Sequence, residues 1–171
     1  MRVVVAIDSF KGSLSSLEAG NAVKDAIIQL NKQADVCVRP LADGGEGTVE
    51  ALASEKDCQL ISLTVNGPLM QPVCAQYGIL ADGITAVIEM AAAAGITLIS
   101  AQERNPLETT TFGVGELIKD AIKKGCRRFI VGIGGSATND GGTGMLTALG
   151  YEFTDKNDNP ISLGAKGLKD L

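Results

Sequence analysis

Apolar residues along this chain fall into two rhythms, short β-branched runs and longer stretches with helical spacing. Arg2 to Ile7 is a continuous apolar run of the kind that forms a strand covered on both faces. Ser15-Ser16-Leu17-Glu18 then fits a capping box, and Val23, Ala26, Ile27 and Leu30 mark the buried stripe of the helix it opens. Val36 to Val38 reads as a second strand, Val49, Leu52 and Ala53 as a second helix, and Cys58 to Val65 as a third strand. The order β-α-β-α-β implies a parallel sheet covered by helices.

The rhythm breaks at Asn66-Gly67-Pro68. Val73 to Leu80 and Ile84 to Met90 are extended runs separated by Ala81-Asp82-Gly83, a hairpin signal. Ala91 to Ala94, ending at Gly95, reads as a short helix on that hairpin. The helical rhythm returns after Thr109-Thr110-Thr111, with Val114, Leu117, Ile118, Ala121 and Ile122 as its stripe and Gly125 as its close. Arg128 to Val131 is a strand, Met145, Leu146 and Leu149 mark a helix, and Tyr151 to Phe153 reads as a further strand. Residues 161–171 carry no clear closing element. The expected fold class is α/β: a Rossmann- or flavodoxin-like parallel sheet with helices on both faces, formed by residues 1–65 and 109–171 and incomplete at its C-terminal end. Residues 66–108 would form a small α+β insert lobe with a β-hairpin.

Composition narrows the function. The 171 residues are 45% hydrophobic and 20% charged, as in an ordinary globular domain. A net charge of −5 and 4% aromatic residues argue against a nucleic-acid partner. The N-terminus reads as a strand rather than a signal peptide, and Glu89 interrupts the longest apolar run, so no membrane partner is expected. Cys37, Cys58, Cys74 and Cys126 have no C-x-x-C spacing and read as reduced, mostly buried thiols of a cytoplasmic protein. The chain has no histidine. Histidine-based triads and histidine metal ligands are therefore excluded. A metal would be held by oxygen, which favours Mg²⁺, and a general base would be a carboxylate.

Three loops carry the candidate chemistry, each at the carboxyl end of a strand, where ligands of parallel sheets collect. The first holds Asp8, Ser9, Lys11 and Ser13. The second, Pro40 to Thr48, holds Asp43 and Glu46 among Gly44, Gly45 and Gly47. The third, Gly132 to Gly142, has five glycines in eleven residues together with Ser136, Thr138, Asn139 and Asp140. Its amides suit a phosphate, and Asp140 could hold a metal beside it. Singly, each has a plainer reading: Asp8 as a helix cap, Lys11 as a solvated side chain, Asp43 and Glu46 as acceptors for loop amides. Together they suit phosphoryl transfer, which needs positioning and charge stabilisation more than covalent chemistry. No Walker A pattern occurs. Gly132 to Ala137 matches G-x-G-x-x-A with Glu152 twenty residues on, a partial dinucleotide fingerprint. Asn139-Asp140-Gly141-Gly142 would break the helix that such a fingerprint needs.

The segments Asp8 to Ser13, Pro40 to Thr48 and Gly134 to Gly142 resemble, in order, the hallmark segments of bacterial glycerate kinases of the type forming 2-phosphoglycerate. The resemblance runs along essentially the whole chain and implies an ATP- and Mg²⁺-dependent kinase acting on D-glycerate, with its site between two α/β lobes. Family chains are considerably longer, so this sequence looks like the N-terminal part of one, and activity of this chain alone stays open. Within that function we assign Asp43, Asp140 and Lys11 to catalysis, and Asp140 and Asp43 to Mg²⁺. Gly134, Gly135, Ser136, Thr138, Asn139, Gly141 and Gly142 are assigned to the nucleotide, and Asp8, Ser9, Ser13 and Glu46 to substrate. The alternatives are a nicotinamide-dependent oxidoreductase and a non-catalytic domain sensing a small acid. Homo-oligomerisation and the hydroxyl phosphorylated stay open.

Overall fold

The computed structural model describes residues 1–10, 13–45, 47–55 and 58–171, with the side chains of 53–55 left aside. Two sheets organise it. β1 (Arg2–Ile7) and β2 (Asp35–Pro40) pair in parallel, from Arg2 opposite Asp35 to Ile7 opposite Pro40. Between them runs α1 (Ser16–Leu30), with Ser15 and Glu18 forming both halves of the capping box. The box's hydrogen bonds from Ser15 hold the Glu18 carboxyl below its ordinary pKa.

The second sheet has the order β3-β4-β5-β6. β3 (Cys58–Asn66) pairs antiparallel with β4 (Pro72–Leu80), and β4 antiparallel with β5 (Thr85–Glu89). β5 then pairs in parallel with β6 (Arg128–Gly132). The hairpin read around Asp82-Gly83 is present. Asp82 accepts hydrogen bonds from the Ile84 and Thr85 amides and the Thr85 hydroxyl, which fix the turn and lower its own pKa.

Helices lie on both faces of this sheet. α4 (Phe112–Lys123) covers the face of Ala75, Tyr77 and Ile79, and with Val114, Leu117, Ile118 and Ala121 it forms the core. The Tyr77 hydroxyl donates to Asp120 on α4 at 2.8 Å. Burial first, and the Asp120 carboxylate second, push the Tyr77 phenol above its ordinary value. α2 (Thr48–Glu55) lies on the opposite face, where Val49 comes near Gly78, one residue along and so pointing the other way. α3 (Ala91–Ala94) follows β5, and α5 (Thr143–Leu149) packs on α4.

The α/β class with parallel segments and helices holds, but the strands are shared out differently from the 1–65, 66–108 and 109–171 division. β3 pairs with β4 along its whole length, so a boundary at 65/66 would cut a hairpin. β6 joins the supposed insert through β5. β4 and β5 thus share one sheet with β3 and β6. Tyr151 to Phe153 forms no strand, only a neighbouring bridge between Thr154 and Pro160, and residues 165–169 close the chain as a 3₁₀ turn. Of the cysteines, all free, Cys126 is buried, Cys37 and Cys58 are half-buried and Cys74 is exposed.

Candidate active site

The carboxyl ends of β1, β2, β5 and β6 meet along one edge. The Leu41 amide bonds Ile7 O at 3.0 Å, and the Ser16 hydroxyl bonds Leu41 O at 2.8 Å, tying the first two loops together. The Gly134 amide bonds Gly44 O at 2.9 Å, tying the second loop to the third. A cavity of about 820 Å³ opens at this junction, and Ser9, Asp43 and Gly135 of the three loops all line it. Glu89, Gln76 and Thr97 add polar groups, and its remaining wall is largely apolar.

Glycines make the junction possible. An added Cβ at Gly134 would stand 2.7 Å from Gly45 Cα, and one at Gly132 would collide with Gly44 O. The two loops thus touch backbone to backbone. Gly135, Gly141 and Gly142 hold positive φ. Conformation and close packing therefore account for all five glycines of the third loop, without recourse to a ligand.

Several of that loop's amides are already committed. Gly134 bonds Gly44 O, Ala137 bonds Ala94 O, Thr138 bonds the Ser136 hydroxyl and Gly142 bonds Asp140. Ser136 and Thr138 also share a hydroxyl–hydroxyl bond of 2.8 Å. Of the loop residues assigned to the nucleotide, Gly135, Asn139 and Gly141 are the exposed ones.

The two aspartates assigned together differ sharply. Asp43 is exposed, lines the cavity, and accepts the Gly45 amide at 3.0 Å. Asp140 is 1% exposed. Its carboxylate accepts from five donors: the Thr110 hydroxyl, the Thr111 amide and hydroxyl, and the Gly142 and Gly144 amides, at 2.8–3.2 Å. These donors belong to the starts of α4 and α5, so two positive helix ends converge on one buried charge. Thr109 extends the junction, donating to Ala137 O at 2.7 Å. The three threonines are at most 4% exposed. Their function escaped the sequence reading, in which they marked only a return of rhythm; three consecutive hydroxyls before an apolar helix were the signal available.

Asp8 is half-buried and accepts the Ser9 amide at 2.7 Å, while Ser13 is exposed in a turn closed on Phe10 O. Lys11 and Glu46 lie outside the described residues. Among the described residues no group of three or more Asp, Glu, Cys or His side chains is placed to hold a metal. The dinucleotide fingerprint is not realised: α5 begins only at Thr143, and Glu152 follows no strand. No helix among the described residues is long and apolar enough to cross a membrane.

Residues 3–171 match the Glycerate kinase family. A Bacillus subtilis protein named glycerate kinase is 49% identical over all of this chain, which covers 45% of that protein. An Escherichia coli protein named glycerate 2-kinase is 47% identical, with the same two coverages of 100% and 45%. The crystal structure of a putative glycerate kinase 2 from Salmonella typhimurium superposes with a TM-score of 0.84 at 46% identity, covering 100% of this chain and 46% of that one. The chain thus spans less than half the length of these relatives.

Proposed function

The chain belongs to the glycerate kinase family, and from that premise we propose that it forms part of a kinase passing the γ-phosphoryl group of ATP to a hydroxyl of D-glycerate, giving 2-phosphoglycerate. The observation that carries this reading is the cavity lined together by Ser9, Asp43 and Gly135. Phosphoryl transfer needs a donor phosphate, an acceptor hydroxyl and a carboxylate brought to one place.

We assign the roles by exposure. Asp43, at the cavity wall, is the carboxylate that accepts the proton of the attacking hydroxyl or holds Mg²⁺. The donor set suits this ion: Mg²⁺ is commonly held by one or two carboxylates with the nucleotide's own oxygens. When bound it would neutralise charge on the phosphates. Gly135, Asn139 and Gly141 face the nucleotide from the exposed side of the third loop. Asp8, Ser9, Ser13 and Glu46 serve the substrate, and Lys11 supplies positive charge for catalysis. Asp140 acts through the loop it shapes, as a positioning residue.

The test is ADP release by the full-length protein on mixing D-glycerate, ATP and Mg²⁺. Phosphorus NMR then reads the product, since a 2-phosphate couples to one methine proton and a 3-phosphate to two methylene protons. Binding of glycerate without ADP release would instead mark a sensing domain.

A further inference from the structure

Glu89 stood in the sequence only as the charge interrupting an apolar run. It is the last residue of β5, whose other four residues are all buried. A carboxylate at the end of such a strand needs partners to offset lost hydration. It accepts the Val49 amide at 2.6 Å, forty positions away and in the first turn of α2. There the helix dipole favours a negative charge. Across the sheet Glu89 is in register with Gly132, where the glycine-rich loop begins. The Met90 amide bonds Gly132 O at 2.9 Å. Glu89 also lines the same cavity as Asp43.

We propose that Glu89 is a positioning residue: from the end of β5 it holds the start of α2, and with it the Asp43 loop, in register with the glycine-rich loop. α2 continues directly from that loop, so a shift of its first turn moves Asp43 relative to Gly135. The kinetic consequence rests on the phosphotransfer reading; the clamp itself does not.

The test compares Glu89→Ala with Glu89→Gln in the full-length protein, since glutamine keeps an oxygen for the Val49 amide. Misplacing a reacting group by about 1 Å can cost roughly 10²-fold. Glu89→Ala should therefore lower kcat by about 10-fold or more, with KM for ATP and glycerate within about 3-fold, and Glu89→Gln should recover kcat to within about 3-fold of the parent. Hydrogen exchange of residues 41–50 should quicken in Glu89→Ala while β4 and β5 keep their protection. Unchanged exchange overturns the clamp. An alanine variant with parental kcat, or a glutamine variant as impaired as alanine, overturns the positioning role. Should the alanine variant not fold, Glu89→Asp, too short to reach, takes its place. A parent that releases no ADP would sink the phosphotransfer reading, and the exchange measurement would still decide the clamp.

Discussion

The two glycine-rich loops look alike as sequence, each an aspartate among glycines after a strand. The structure uses them oppositely. In the Pro40–Thr48 loop, Asp43 is exposed at a cavity and bonds locally to Gly45. In the Gly132–Gly142 loop, Asp140 is buried and bonded by five donors from two helix starts. One carboxylate stands exposed at the cavity; the other spends both oxygens on architecture. An acidic residue beside glycines therefore marks a loop under demand, and only burial tells which demand.

The sharpest way to break this contrast is Asp140→Ala. It would leave buried threonine hydroxyls and amides unpaired, and each such group costs about 1–3 kcal/mol. A loss of roughly 3 kcal/mol or more is expected in chemical denaturation. Asp140→Asn should cost nearly as much, because an amide offers one acceptor oxygen where five donors converge. A midpoint near the parent's would mean that Asp140 does not organise the loop.

Gly134→Ala comes next. The new methyl would meet the Gly45 backbone, which has no flexible end to swing aside. Overpacking of this kind costs about 1–3 kcal/mol. The expected sign is faster hydrogen exchange at residues 41–47 and 133–137, with the α4 core protected as before.

The smallest effect concerns the core that both loops stand on. The Tyr77 phenol has its pKa raised by burial, then by Asp120, so its contribution is fully present below about pH 10 and is lost as pH rises toward the folded value. Thermal melts should fall above about pH 10 in the parent, and Tyr77→Phe should flatten that fall. An identical alkaline slope in both would remove Tyr77 as its source.

What the sequence disclosed followed from local rules. The Ser15–Glu18 capping box, the Asp82-Gly83 hairpin and the α4 stripe of Val114, Leu117, Ile118 and Ala121 depend on near neighbours, and all three are present. The α1 stripe was misplaced. Val23 is 40% exposed and Leu30 92%, and α1 instead buries Ser16, Ala19 and Gly20. Helical spacing names a face, but only the partner surface decides whether that face is covered, and here a two-stranded sheet offers little. β1 shows the same thing: Val4, in a run read as buried on both sides, is 63% exposed. Pairing across the chain was equally hidden. Nothing in Cys58–Val65 says that it joins β4 rather than β2, because periodicity gives a strand's faces and not its neighbour.

Of the site, the meeting of the three loops was legible from glycines and carboxylates at strand ends. The bonding of Asp140 to Thr110 and Thr111 and the reach of Glu89 to Val49 were not, since each joins residues about thirty or more positions apart. Gly132 and Gly134 serve the contact between loops, a partner that a glycine count does not disclose.

The most direct measurement is turnover of Asp43→Ala in the full-length protein, read as ADP release with D-glycerate, ATP and Mg²⁺. Loss of a carboxylate that touches the reacting groups should lower kcat by about 10²-fold or more, with a denaturation midpoint close to the parent's. Turnover within a few-fold of the parent would contradict the assignment of the exposed aspartate to the chemistry.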